Sequence, residues 1–169
     1  MIFVTIGSSE KGLDFTRLVE AMDRIAGRLG VDVLIQRGAV DYEPKHARHV
    51  RFVRFDEALR LFRDADLVVG HCGAGTVLNA FLFRKPIIIV PRRRDAGELD
   101  TDDHQMQLAR ELAETEGVRV VWDIERLEDA VREALQASQV RPQPSAHCKE
   151  FLEAIRAFLA QSTAARGAV

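Results

Sequence analysis

Three short stretches carry residue types whose spacing suits chemistry. The first is HCGAGT, residues 71–76. Glycines at 73 and 75 let a backbone come close to a ligand, and a helix-forming run begins at Ala74–Thr76, so its first N–H groups and positive dipole end point outward. His71 adds a donor and Thr76 a hydroxyl. Such a group can hold a diphosphate without a metal. A glycine hinge beside a histidine bonded to backbone is the plain alternative. The second stretch is DTDDHQ, residues 100–105. Asp103, His104 and Gln105 offer carboxylate, imidazole and amide, a set suited to several sugar hydroxyls, although acid at a helix start also serves as a cap. The third is GSSEKG, residues 7–12. Gly7, Ser8 and Ser9 can face an anion, or form an ordinary tight turn. It is no P-loop, because Leu13-Asp14 follows Gly12. It is no dinucleotide fingerprint either, because GxGxxG is missing and strand two ends in Gln36-Arg37 rather than an acid.

Other candidates are weaker. The DAD at 64–66 and the DTD at 100–102 match a metal-holding DxD pattern, but Asp64 and Asp66 fall at the wrong end of the strands. Cys72 has no third group to orient a base and make it a nucleophile. Arg92–Arg94 can hold phosphate, or balance Asp95, Glu98, Asp100, Asp102 and Asp103; charge balance is the favoured reading.

The elements that position these stretches follow from periodicity. Short apolar runs at Ile2–Ile6, Asp32–Gln36, Val50–Phe55, Leu67–Gly70, Ile87–Val90 and Val118–Val121 read as strands. Amphipathic runs at Asp14–Leu29, 56–63 (capped by Asp56), Ala74–Arg84, 103–115 and 125–137 read as helices. Continuous apolar strands such as PIIIV are buried on both faces. The alternation predicts an α/β, Rossmann-like, doubly wound parallel sheet over residues 1–137. In that fold the three stretches all follow strands and meet at the carboxyl edge of the sheet. A proline-bearing linker at 138–147 leads to an extra C-terminal helix at 148–160, with Phe151, Ile155, Phe158 and Leu159 on one face. Residues 161–169 read as a frayed tail.

With 169 residues, 47% hydrophobic, 30% charged and a net charge of −2, the chain reads as one soluble domain without a basic field for nucleic acid. Basic charge is 20 Arg to 4 Lys, and no function is built on that. Two cysteines without CxxC make no zinc site or disulfide framework, and a reducing compartment is the default. The start, MIFVTIGSS, reads as a strand rather than a signal peptide, and no apolar run reaches a membrane span.

In order along the chain, VTIGSS, ADLVVGHCGAGTVLNA and KPIIIVPRRRDAGELDTDDHQMQLARELAE resemble family 28 glycosyltransferases. The likeness extends to small donor-binding subunits of two-component UDP-GlcNAc transferases, PssE-type exopolysaccharide subunits and the MurG C-terminal half. It covers about residues 1–135, and the ordered co-occurrence of three loops makes it specific.

The resemblance implies a single GT-B donor-binding half-domain. Gly7, Ser8 and Ser9 would face phosphate, Phe55 would offer backbone to uracil, and His71, Gly73, Ala74, Gly75 and Thr76 would hold the diphosphate. Asp103, His104 and Gln105 would contact the sugar, and Glu98 belongs to the same run. His71 and His104 are the candidate catalytic groups on this chain, the acceptor base being assigned to a partner. The implied reaction is inverting, with a UDP-sugar donor (GlcNAc favoured), a lipid-linked acceptor, and neither metal nor tightly bound cofactor. A membrane-anchored acceptor-binding subunit would recruit this cytoplasmic chain to the membrane, and helix 148–160 could pack on that partner or fold back on the sheet. One position departs from the family: Asn79 stands where a ribose-binding Glu is usual, and keeps a hydrogen-bonding amide without the charge. Two other readings stay open, a non-catalytic accessory subunit and an NAD(P)-dependent oxidoreductase.

Overall fold

The computed structural model describes residues 1–7, 14–93, 97–98 and 104–137. The expected linker, C-terminal helix and tail lie outside the described residues. Strand β1 (Ile2–Thr5) leads to helix α1 (Thr16–Leu29), β2 (Val33–Gln36), β3 (Arg48–Val50) and α2 (Phe55–Asp64). Then come β4 (Leu67–Gly70), α3 (Ala74–Leu82), β5 (Ile87–Ile89), α4 (His104–Leu112), β6 (Val118–Val120), a 3-10 turn at Ile124–Arg126, and α5 (Leu127–Gln136). The six strands are all parallel, in the order β3-β2-β1-β4-β5-β6. This is the doubly wound sheet the alternation predicts. The chain steps outward from β1, returns to β4 and steps outward the other way. The loops after β1 and β4 therefore diverge and leave a crevice at their carboxyl ends.

Alternate residues of each central strand enter two separate cores. Ile2, Val4, Leu67, Val69, Ile88 and Val90 pack with Leu18, Val19, Met22 and Ile25 of α1 and with Leu127 and Val131 of α5. Phe3, Val68, Ile87 and Ile89 pack on the other face with Phe62 of α2, Val77, Ala80 and Phe81 of α3, and Ala109 of α4. Phe3 and Phe62 meet edge to face, with ring centroids 5.2 Å apart. Ile87–Val90 of the PIIIV run are all buried because both faces of β5 are covered.

Several element boundaries differ from the sequence reading, those of β3, α2 and α3 among them. The third strand is Arg48–Val50, not Val50–Phe55. Its ladder with β2 ends at Gln36 opposite Val50; beyond it the Arg37 and Gly38 N–H groups still reach the Val50 (2.9 Å) and Arg51 (2.8 Å) carbonyls, but Gly38 (φ 56°) turns the chain away and the ladder goes no further. Helix α2 starts at Phe55 with Arg54, not Asp56, at its cap; Asp56 sits in the first turn. Helix α3 ends at Leu82 rather than Arg84. Arg84 takes a left-handed conformation (φ 51°), and the Arg84 and Lys85 N–H groups return to Phe81 (3.0 Å) and Ala80 (2.8 Å). That is a Schellman closure made without glycine.

One buried charge organises the long segment between β2 and β3. Asp23 of α1 is 1% exposed. Its carboxylate accepts the backbone N–H groups of Lys45, His46 and Ala47 at 2.7–2.9 Å and the Tyr42 hydroxyl at 2.8 Å. Burial alone would raise its pKa, but these four donors outweigh burial and hold it below the ordinary carboxylate value of 3.8. A depressed native pKa gives stability that is complete above the unfolded value and is lost as pH falls through the native one. Asp23→Ala is expected to cost about 2–4 kcal/mol at pH 7 in urea denaturation. The gap to wild type should narrow below about pH 4; a gap unchanged down to pH 2.5 would contradict this account.

Candidate functional site

The crevice between β1 and β4 is built around one imidazole. His71 follows β4 directly and lies between two glycine backbones. A Cβ on Gly7 would stand 2.9 Å from its Cε1, and a Cβ on Gly73 only 2.3 Å from its Nε2. Both positions must lack a side chain for the ring to fit. Gly7 also has φ 88°, which few other residues tolerate.

Two polar residues at paired strand ends hold the Gly7 turn. Thr5 and Gln36 face each other in register. The Thr5 hydroxyl donates to Gln36 Oε1 (2.5 Å) and accepts the Gly7 N–H (3.2 Å), while the Gln36 amide donates to the Gly7 carbonyl (2.9 Å). Gln36 is thus occupied where an acid would bind ribose in a dinucleotide fold, and Arg37 beside it is buried, donating to the Val40 carbonyl at 2.5 Å. Sequence reasoning missed this lock. Its trace was two polar residues closing otherwise apolar strands at matching positions.

His71 is neutral in this setting. Burial first, then the charge of Arg92, push its pKa from 6.5 down to about 4, against an opposing contribution from the Thr5 backbone. Its Nδ1 is buried without a hydrogen-bond partner among the described residues. A neutral imidazole has one N–H to donate and one nitrogen to accept.

Beside it, α3 opens without a side-chain cap on Gly73. Ala74 and Gly75 are exposed, and the space over Gly75 is open for at least 4 Å. The two glycines of HCGAGT therefore do different work: Gly73 makes room for His71, and Gly75 leaves the helix end bare. Thr76 is 7% exposed, its methyl turned toward Gly70. Asn79, one turn on, donates to the Gly75 carbonyl of its own helix at 2.8 Å. Free N–H groups, the dipole of α3 and a neutral histidine make this corner suited to a polyanion.

The structure thus gathers Gly7, His71, Gly73, Ala74, Gly75, Thr76 and Asn79 at the switch point. Gln105 stands in the first turn of α4, its Oε1 taking the Arg92 N–H at 3.4 Å. Glu98 is 3% exposed, with its carboxylate turned to Arg17 and the Arg93 N–H rather than into the crevice. Phe55 is 75% exposed at the start of α2, beyond β3. Three strand spacings, about 14 Å, separate β3 from β4. Its N–H is one of the four at a helix start that lack an intrahelical acceptor. His104 opens α4, but its side chain, like Ser8, Ser9, Asp103 and the DTD at 100–102, lies outside the described residues.

Two weaker candidates have ordinary partners. Asp64 pairs with Arg63 (2.9 Å) and Asp66 with the Met1 amino group (2.5 Å), at the amino ends of the strands. No cluster of three or more His, Cys, Asp or Glu that could hold a metal occurs among the described residues. Cys72 is 1% exposed in the second core, and burial pushes its thiol up to about 12, so it carries no thiolate at neutral pH.

Two outcomes test this geometry. Gly73→Ala should lose about 1–3 kcal/mol of stability because its Cβ displaces the imidazole, whereas Gly75→Ala should hold or gain up to ~1 kcal/mol from helix propensity; equal losses would contradict the division between the two glycines. In long-range nitrogen–proton NMR of the free protein, the His71 ring should remain neutral from pH 8 to 5 and titrate near 4. A midpoint near 6.5 would contradict its burial.

Comparison with known proteins gives the family and the fold. The family model for the glycosyltransferase family 28 C-terminal domain matches residues 1–158. A UDP-N-acetylglucosamine–N-acetylmuramyl-(pentapeptide) pyrophosphoryl-undecaprenol N-acetylglucosamine transferase of Phenylobacterium zucineum is 35% identical over 104 residues, 62% of this chain and 26% of that protein. The UDP-N-acetylglucosamine transferase subunit ALG13 of Saccharomyces cerevisiae is 28% identical over 109 residues, 60% of this chain and 50% of that protein. An NMR structure of ALG13 shares the fold, with a TM-score of 0.57 at 19% identity, over 89% of this chain and 92% of that one. The chain thus spans between a quarter and a half of the length of these two curated relatives.

Proposed function

Because the chain belongs to glycosyltransferase family 28, as a C-terminal-type domain, we propose that it is the donor-binding subunit of an inverting glycosyltransferase, taking N-acetylglucosamine from UDP to a lipid-linked acceptor. The observation that carries this reading is the bare N-terminus of α3 beside a neutral, half-buried His71 at the switch point. The diphosphate lies over Ala74, Gly75 and Thr76, where N–H groups and the helix dipole meet it. His71 donates to a phosphate oxygen as a neutral group. Charge develops on the departing UDP as the bond to the sugar breaks, and these fixed donors stabilise it as a cation would. Phe55 offers its backbone N–H to the uracil edge. Asp103, His104 and Gln105 meet the sugar hydroxyls.

The acceptor and the base that deprotonates it belong to a second, membrane-associated subunit. Two facts support that division: the match is to one domain type, and one relative is itself called a transferase subunit. Among the described residues no helix is long and apolar enough to cross a membrane; on this reading the partner subunit holds the chain at the membrane.

One observation favours a second reading, an accessory subunit that binds donor poorly. Asn79 spends its amide on its own helix, and an amide cannot give ribose the charge-assisted bond of a carboxylate, worth about 1.5–3 kcal/mol.

Calorimetric titration with UDP, UDP-GlcNAc and NADH decides between them. UDP and UDP-GlcNAc should bind and NADH should not. His71→Ala should weaken UDP roughly 10- to 100-fold, Gly75→Ala should weaken it without loss of stability, and Asn79→Glu should strengthen it. No binding of either uridine nucleotide, with or without the acceptor-binding partner, would favour the accessory reading.

A further inference from the structure

Between β5 and α4, the described residues Pro91–Arg93 and Glu98 take part in a largely buried knot of charges that the site itself does not explain. Glu98 is 3% exposed. Its Oε1 meets Arg17 Nε of α1, and its Oε2 accepts from Arg17 Nη2 at 2.9 Å and from the Arg93 N–H at 2.7 Å. Arg17 Nη2 also donates to the Pro91 carbonyl at 2.8 Å. The Glu98 N–H returns to the Arg93 carbonyl at 3.1 Å, closing the loop on itself.

Arg92 extends the knot to both ends of the crevice. It is 3% exposed. Its guanidinium donates to the Ile6 carbonyl (2.9 Å), next to the Gly7 turn, and to the Glu98 carbonyl (3.3 Å). Its own N–H reaches Gln105 Oε1 (3.4 Å). Both guanidinium groups lie over the buried Phe15 ring, 4.7 Å away for Arg92 and 5.2 Å for Arg17.

Burying such charges costs much of what their attraction returns, and apolar residues of similar volume often serve stability as well or better. What an apolar plug lacks is direction. A bidentate Arg–carboxylate pair admits one orientation. The knot joins the turn after β1, the start of α1, the loop after β5 and the start of α4, and these are the segments that bring the phosphate end and the sugar end of the crevice together.

We propose that Arg17 and Glu98, tied through Arg92, are positioning residues that fix the sugar-binding end of the donor site relative to its phosphate end, and that Glu98 is not itself a sugar ligand. This rests on the donor-subunit reading. The knot sets where Gln105 stands without touching donor, so breaking it disturbs recognition of the sugar and leaves recognition of UDP intact.

The test uses Arg17→Met, Glu98→Gln, the double variant, and Arg17→Lys, which keeps charge but loses the two-pronged contact. In the free protein, amide hydrogen exchange at residues 92–93, 98 and 105–108 should rise about tenfold in either single variant and no further in the double. Affinity for UDP-GlcNAc should fall roughly tenfold while that for UDP changes less than twofold, again with no further loss in the double variant. Arg17→Lys should fall between wild type and Arg17→Met, and it provides the measurement if Arg17→Met does not fold.

Additive losses in the double variant would overturn the proposal. So would unchanged exchange, or sugar affinity lost in Glu98→Gln but kept in Arg17→Met, as expected of a direct ligand. If wild type binds neither nucleotide with or without the acceptor-binding partner, the donor reading fails, while the exchange measurement still decides whether the knot holds residues 92–93 and 98.

Discussion

A histidine ring wedged between two peptide backbones is the constraint from which the site is built. For His71 to lie against Gly7 and Gly73, two loops that leave neighbouring strands in different directions must meet within van der Waals distance. That is possible only at the position where the order of the sheet reverses. The ring gives up most of its water there and is left neutral. In return the corner has a donor whose direction is fixed by packing rather than by its own flexibility. The Thr5–Gln36 lock and the knot around Glu98 hold the two walls from behind.

The arrangement also separates two electrostatic tasks. On the proposed donor-binding reading, the fixed positive end of α3 and the neutral His71 would meet an anion without presenting a full mobile charge. The guanidinium groups nearest the crevice, Arg17 and Arg92, are committed to Glu98 and to backbone carbonyls. The arginine-rich run after β5 thus carries at least one residue that works inward, as frame. Counting charges along the sequence sees only that the run balances.

How far the sequence reveals this follows from the range of each interaction. The order of elements was legible because burial on both faces leaves unbroken apolar strands, as in PIIIV, and because α1 repeats its apolar residues at helical spacing. HCGAGT was legible because two glycines and a histidine between a strand and a helix have few ordinary uses. The roles within it were not: in the one-dimensional string Gly73 and Gly75 are equivalent, and only the position of the imidazole separates them. Strand three was misplaced because its end is set by where β2 stops, a fact carried by a segment a dozen residues away. Arg17 left no trace either, since one arginine on the polar side of a helix looks the same whether it meets water or a carboxylate 81 residues on.

The allotment of alternate β4 residues to two different cores has a consequence for how this domain can change over generations. Exchange of one side chain alters one contact, but loss or gain of a single residue between Leu67 and His71 would invert every inward and outward assignment at once. It would also turn the imidazole to the opposite face of the sheet. Substitution and length change are therefore very unequal events here. Drift in side-chain identity can run far along this strand while the number of residues between its start and the histidine stays the same, so spacing outlasts similarity as the mark of descent.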